Sequence, residues 1–305
     1  MAPSPRDAHP ELQNAMDDVV DSVNKTIERL LPETDLSEAI LYDAMRHGVL
    51  GGGKRLRPFL AIHSANLFNV DTNRSRRVAA AIEFMHCYSL IHDDLPAMDD
   101  AALRRGKPTV HKQYDNATAI LAGDALLTLT FEVLSDRDTH PDPNVRCHLV
   151  REMAVAAGGH GMVGGQMLDL IAERSDVEFD AGEISRLQRM KTGKLMAFAC
   201  ESGAILGKAN DIHRRALCNY AYDLGLAFQV TDDILDVEAD PQDTGKDTGK
   251  DEAAGKATFV STMGKDAAQS RAEMLVHQAI SHLKIFEGRG KMLKELALYV
   301  LERRA

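Results

Sequence analysis

The chain has 305 residues, of which 44% are hydrophobic and 27% charged, with no tryptophan and a formal net charge of −10. That length buries a sizeable core, and the aromatic-poor mix rich in Ala, Leu and Met favours helix over sheet. The acidic balance argues against a nucleic-acid partner or an anionic membrane surface.

The opening MAPSPRDAHP carries Pro3, Pro5 and Pro10 and reads as a disordered tail over 1–10, with no apolar stretch of the kind a secretory signal needs. Helical periodicity then recurs over 12–31, 36–49, 58–68, 76–94, 117–134, 143–159, 162–172, 184–206, 211–237, 258–263, 267–286 and 292–303. No alternating strand and no Asn-Gly hairpin signal interrupts it. The longest irregular stretch is 239–256, and no run of about 18 apolar residues suggests a membrane span. Cys87, Cys147, Cys200 and Cys218 show no CxxC pairing and read as reduced core residues. The expectation is one soluble, cytoplasmic all-α domain over 11–305, with several helices apolar around much of their circumference.

Two acidic clusters close two of the apolar runs. In YSLIHDDLPAMDD (88–100), Pro96 disfavours helical geometry before it, so the helix ends near Asp94. Asp93 and Asp94 then occupy its last turn, where the macrodipole disfavours each anion by roughly 0.3–1 kcal/mol. In LGLAFQVTDDILDVEAD (224–240), Asp232 and Asp236 share a helical face at i, i+4, with Asp233 beside them. One such cluster is explained by a solvated helix end. Two of them, without His or Cys, form a hard oxygen set suited to Mg2+ shared with a polyphosphate.

Positive charge for a phosphate is also present. GGGKRLRP (51–58) sets three glycines before Lys54, Arg55 and Arg57; LRRGKP (103–108) adds Arg104 and Arg105; KTGK (191–194) adds Lys191 and Lys194; Lys246, Lys250 and Lys256 follow. Each alone reads as a solvated basic patch. The G-x-x-x-x-G-K from Gly48 to Lys54 is not a P-loop, because Arg55 replaces its Ser/Thr and a helix precedes it. His86 stands two turns before Asp93, about 10 Å away on the same face, as a basic side chain near the acids. The glycines of AAGGHGMVGGQMLDL read as close-packing positions, Gln166 and Asp169 as candidate cavity lining, and Met153, Met162 and Met167 as core filler.

Taken together, DDLPAMD (93–99), DDILD (232–236), GGKRLRP, LRRGKPT, GQMLDL, KTGKL and FQVTDD resemble, in order and spacing from about 41 to 256, the trans-isoprenyl diphosphate synthase family. Its bacterial farnesyl diphosphate synthase type is the nearest in pattern. The resemblance implies antiparallel helices around a central cavity, the single-domain isoprenoid synthase fold, and a homodimer. It implies that Asp93, Asp99 and Asp232 ligate a cluster of about three Mg2+ ions with substrate bound, Mn2+ being an alternative. Asp94, Asp233 and Asp236 would act through water or neighbouring ligands. Arg104, Lys191 and Lys246 would hold an allylic diphosphate, and Lys54, Arg57, His86 and Arg105 the diphosphate of isopentenyl diphosphate. Thr192 and Gln229 would line the forming allylic cation. Ala101 and Ala102 depart from the acids that often continue the first motif.

The chemistry so implied is ionisation of the allylic carbon–oxygen bond, attack by the isopentenyl double bond, and proton loss to the released diphosphate, with no side-chain base. Tyr88, five residues before Asp93 and roughly 7.5 Å along the axis, would block elongation at the farnesyl product, while Ser89 is too small to obstruct. A geranylgeranyl diphosphate synthase is the nearest alternative. A class I terpene cyclase is opposed by the second Asp motif and the isopentenyl-binding residues, and a noncatalytic subunit by the intact acids.

Overall fold

Aspartates start many of the helices, because their carboxylates satisfy backbone N–H groups that a helix leaves without partners. Asp71 accepts from Asn73 and Arg74, Asp115 from Thr118, and Asp142 from Asn144 with Pro143 at the first helical position. Asp180 and Glu183 form a reciprocal capping box. The computed structural model describes residues 9–31, 33–174, 179–238 and 259–302.

In chain order the helices are α1 (Pro10–Leu30), α2 (Ala39–Leu50), α3 (Leu56–Asn66) and α4 (Thr72–Asp93). A two-stranded ribbon follows, β1 (Leu103–Arg104) with β2 (Lys107–Pro108), then α5 (Val110–Gln113), α6 (Asn116–Ser135), α7 (Pro143–Ala157), α8 (Met162–Arg174) and α9 (Ala181–Gln188). A π-helical turn (Arg189–Gly193) leads into α10 (Lys194–Leu206), then α11 (Asp211–Glu238), α12 (Phe259–Met263), α13 (Lys265–His282), a 3-10 turn (Leu283–Phe286) and α14 (Lys291–Glu302). The all-α expectation holds and most helix bounds agree within a few residues.

α4 and α10 lie at the centre. Val78 to Met85 of α4 and Leu195 to Cys200 of α10 are almost continuously buried, so these helices are apolar all round rather than amphipathic. α6 and α3 pack on α4, α3 and α11 on α10, and α13 on α11. The acidic end of α4 is thus held by a rigid central element.

Several expectations need correction. The ribbon is a strand pair that periodicity missed: Arg105 and Gly106, both at positive φ (52° and 75°), make a two-residue turn with Arg where the usual signal has Asn. The helix expected over 184–206 is interrupted by the π turn, a local widening invisible to a 3.6-residue period. The tail does not extend to residue 10, since α1 begins at Pro10 and His9 bonds Glu295 and Glu302. Cys147 and Met167 are exposed rather than core residues. α6 is long and apolar enough to cross a membrane, though it packs one face on α4, where Thr130 Oγ donates to the Ala81 carbonyl.

Candidate active site

α4 stops at Asp93, and the loop after it folds back onto the helix end. The N–H of Asp99 donates to the Asp93 carbonyl (2.9 Å), that of Met98 to Leu95 (2.9 Å) and that of Ala101 to Asp94 (3.2 Å). Helix carbonyls left over by Pro96 are thereby satisfied, and Asp99 returns to Asp93. Asp94 is buried and takes the fork of Arg104, with Nε at 2.9 Å from both carboxylate oxygens and Nη2 at 2.7 Å from Oδ1. Burial pushes the Asp93 carboxyl up to about 6, with Lys191 opposing, Asp99 adding and Arg104 opposing. Asp93 is thus a desolvated carboxylate with Asp99 as an acidic neighbour and two cations, Lys191 and Arg104, within its field.

Lys191 reaches this field from the π turn, which packs against both α8 and α11. Its ammonium bonds Asp169 Oδ2 at 2.5 Å. Gly165 lets α8 approach that closely, since a Cβ there would lie 2.6 Å from Lys191 Cα. The close-packing reading holds for Gly165 and for Gly164, which faces Met190, but not for Gly159, where a Cβ would meet open space. Asp169 proves to be the partner of Lys191, and Gln166 Oε1 is buried without a protein partner. Thr192 sits half-buried on the same turn.

On α11, Asp233 is buried and structural: Oδ2 accepts the N–H of Phe259 (2.9 Å) and Oδ1 the amide of Gln229 (3.4 Å). Asp232 and Asp236 flank it half-buried. Gln229 is tied to this acid rather than standing alone. Among the described residues no group of three or more His, Cys, Asp or Glu side chains is placed to hold a metal ion. Carboxylates without His or Cys are the ligand type of a hard cation, one that completes its shell with waters and phosphate oxygens.

The glycine-rich loop divides its basic residues by role. Arg55 turns inward, donating to Glu83 (2.5 Å), Asn24 Oδ1 (3.2 and 3.0 Å) and the Val49 carbonyl (2.6 Å), so it ties α1, α2 and α4 together. Arg57 lies 3.4 Å from His86 Nε2, and its own Nε is buried without a partner. Arg105 donates to the Gly52 carbonyl, its guanidinium against Gly53, while Lys54 is exposed on the loop. His86 is not the basic group expected: burial first, then Arg57, Arg105, Arg104 and Arg55, hold its pKa well below the ordinary value. Burial also lowers that of Arg57, with Glu83 opposing. The predicted Arg57, His86 and Arg105 are thus brought together; Lys246 lies outside the described residues.

Tyr88 is buried behind Asp93, edge-on to His92, and burial followed by the Asp93 charge raises its pKa. Ser89 Oγ donates to the His86 carbonyl at 2.8 Å. Glu83 and His92 escaped sequence reasoning. Glu83 carried a signal, a lone acid inside the apolar run AAAIEFM. His92 carried none.

The polyprenyl synthetase family model matches residues 38–295. The chain is 43% identical over 294 residues to farnesyl diphosphate synthase of Escherichia coli (strain K12), covering 93% of this chain and 96% of that protein. It is 36% identical to geranylgeranyl diphosphate synthase of Cyanophora paradoxa, covering 93% of each. A crystal structure of an FPP/GFPP synthase from Zymomonas mobilis superposes with a TM-score of 0.87 at 46% identity, covering 95% of this chain and 99% of that one. This chain belongs to the polyprenyl synthetase family, and its helices adopt the isoprenyl synthase fold.

Proposed function

We propose that the chain is a Mg2+-dependent farnesyl diphosphate synthase, condensing isopentenyl diphosphate head to tail with dimethylallyl and then geranyl diphosphate. One observation carries the reading: at the end of α4 an acidic loop around Asp93 and Asp99 meets Lys191 and Arg104, with the Arg57–His86–Arg105 cluster alongside. Relatives named for that activity over almost the whole chain support it. Bound Mg2+, or Mn2+, supplies Lewis-acid charge to the leaving diphosphate. Asp93, Asp99 and Asp232 would hold it, as carboxylates of the kind a hard divalent cation takes.

Lys191 and Arg104, with Lys246, hold the allylic diphosphate. Lys54, Arg57 and Arg105 hold the other diphosphate by charge. Neutral His86 accepts from Arg57 at Nε2, so Nδ1–H is the group it offers a phosphate oxygen. Thr192 and Gln229 present oxygen dipoles along the reacting carbons. The buried apolar wall of α4 excludes water, and Tyr88 closes the elongation path at fifteen carbons. A second copy of the chain covers the apolar faces left exposed by Ile120 and Leu121 of α6 and by Val163, Met167 and Ile171 at successive turns of α8.

Incubation with isopentenyl and dimethylallyl diphosphate plus Mg2+, followed by product sizing, tests this. Farnesyl diphosphate is expected, none without divalent metal, and a loss of roughly a hundredfold or more in turnover for Asp93→Asn and for Asp232→Asn. Unimpaired turnover in either variant would remove the metal assignment. A geranylgeranyl product would favour the longer-chain alternative, and a product formed without consuming isopentenyl diphosphate would favour a cyclase.

A further inference from the structure

Tyr88 does not hold its position unaided. One turn further along α4 the His92 ring meets it edge to face, with centroids 5.6 Å apart and planes at 89°. His92 is itself anchored to α6. Its Nε2 lies 3.1 Å from the Ile120 carbonyl, which can only accept, so the proton sits on Nε2 and the ring tilt is set. The Asp124 carboxylate lies 3.8 Å from the same nitrogen. The imidazole occupies a notch over Gly123, and a Cβ there would overlap Nε2 and Cδ2 of the ring. Ala119 and Ala122 beside the notch are fully buried, so the wall of α6 cannot readily retreat.

The geometry points to His92, seated by Gly123, as the positioning residue that keeps the Tyr88 phenol across the elongation path and thereby sets product length. This rests on the reading of Tyr88 as the floor. The physical cause is rotamer selection. A phenol with an aromatic edge on one side has one favoured well; without it, the ring can swing and let a longer chain pass. Gly123 acts only through the ring it admits.

The test is the ratio of geranylgeranyl to farnesyl product from isopentenyl and dimethylallyl diphosphate, measured for wild type, Tyr88→Ala, His92→Ala, Gly123→Ala and the His92→Ala/Gly123→Ala double variant. His92→Ala and Gly123→Ala are each expected to raise the ratio roughly threefold to tenfold. The double variant should shift no further than His92→Ala, because the new methyl has no ring left to displace. A merely structural role lowers turnover without moving the ratio, and His92→Ala serves should Gly123→Ala not fold. If Tyr88→Ala lengthens the product while His92→Ala retains the wild-type ratio, the bracing inference is overturned and the floor reading survives. If Tyr88→Ala itself changes nothing, both are lost.

Discussion

Glu83→Gln isolates the support beneath the Arg57–His86–Arg105 cluster. The side chains of Arg55 and Glu83 are 0% and 3% exposed and 2.5 Å apart, so neither charge has water as an alternative partner. The substitution keeps size and leaves the Arg55 bonds to Asn24 and Val49 in place, but strands a guanidinium among neutral acceptors. Breaking a buried pair from one side costs about 3–5 kcal/mol. Removing both charges differs: Arg55→Met with Glu83→Leu should come within about 1–2 kcal/mol of wild type, since apolar side chains of similar volume replace such pairs at little cost. Urea denaturation followed by far-UV circular dichroism reads both values, with an unchanged slope showing that the unfolded state is not the cause. The single variant should also raise the KM for isopentenyl diphosphate, because Arg57 loses the charge that opposes its burial. A single-variant loss below about 0.5 kcal/mol, the range of ordinary surface changes, would refute the reasoning.

Gly165→Ala should separate α8 from the π turn, costing about 1–3 kcal/mol in thermal unfolding and lowering turnover, as Lys191 is carried off Asp169 and Asp93; wild-type turnover would mean that this approach does not place Lys191. His9 supplies a pH dependence. Burial lowers its pKa, but hydrogen bonds to Glu302 and Glu295 outweigh that and raise it. Its contribution to stability is therefore complete below the unfolded value near about 6.5 and is lost as pH rises through the higher folded value. The melting-temperature gap between wild type and His9→Gln should be widest at acidic pH and close above neutrality; a pH-independent gap would contradict the clasp of α1 onto α14.

Helix positions were legible because their causes are local. Periodicity marks the face to be buried, and Asp71, Asp115, Asp142 and Asp180 cap helices within three residues of themselves. The acidic and basic stretches were legible for the same reason, as runs of like charge placed against apolar helix ends. Which member of each run does what was not. Arg55 and Arg57 are two residues apart, yet one is tied to Glu83 and the other lies against His86; Asp93 and Asp94 are adjacent, yet only Asp94 takes the Arg104 fork.

Those roles, with the partnership of Lys191 and Asp169 and the seating of His92 over Gly123, were decided by tertiary structure alone. A charge can be buried only where a distant helix brings a counter-charge, and a ring can be held only where another backbone lies close enough to take it. The sequence by itself determined the helices and the chemistry they carry; packing of helices far apart in the chain decided which charges stay available to a ligand, because burial and pairing are properties of neighbours in space.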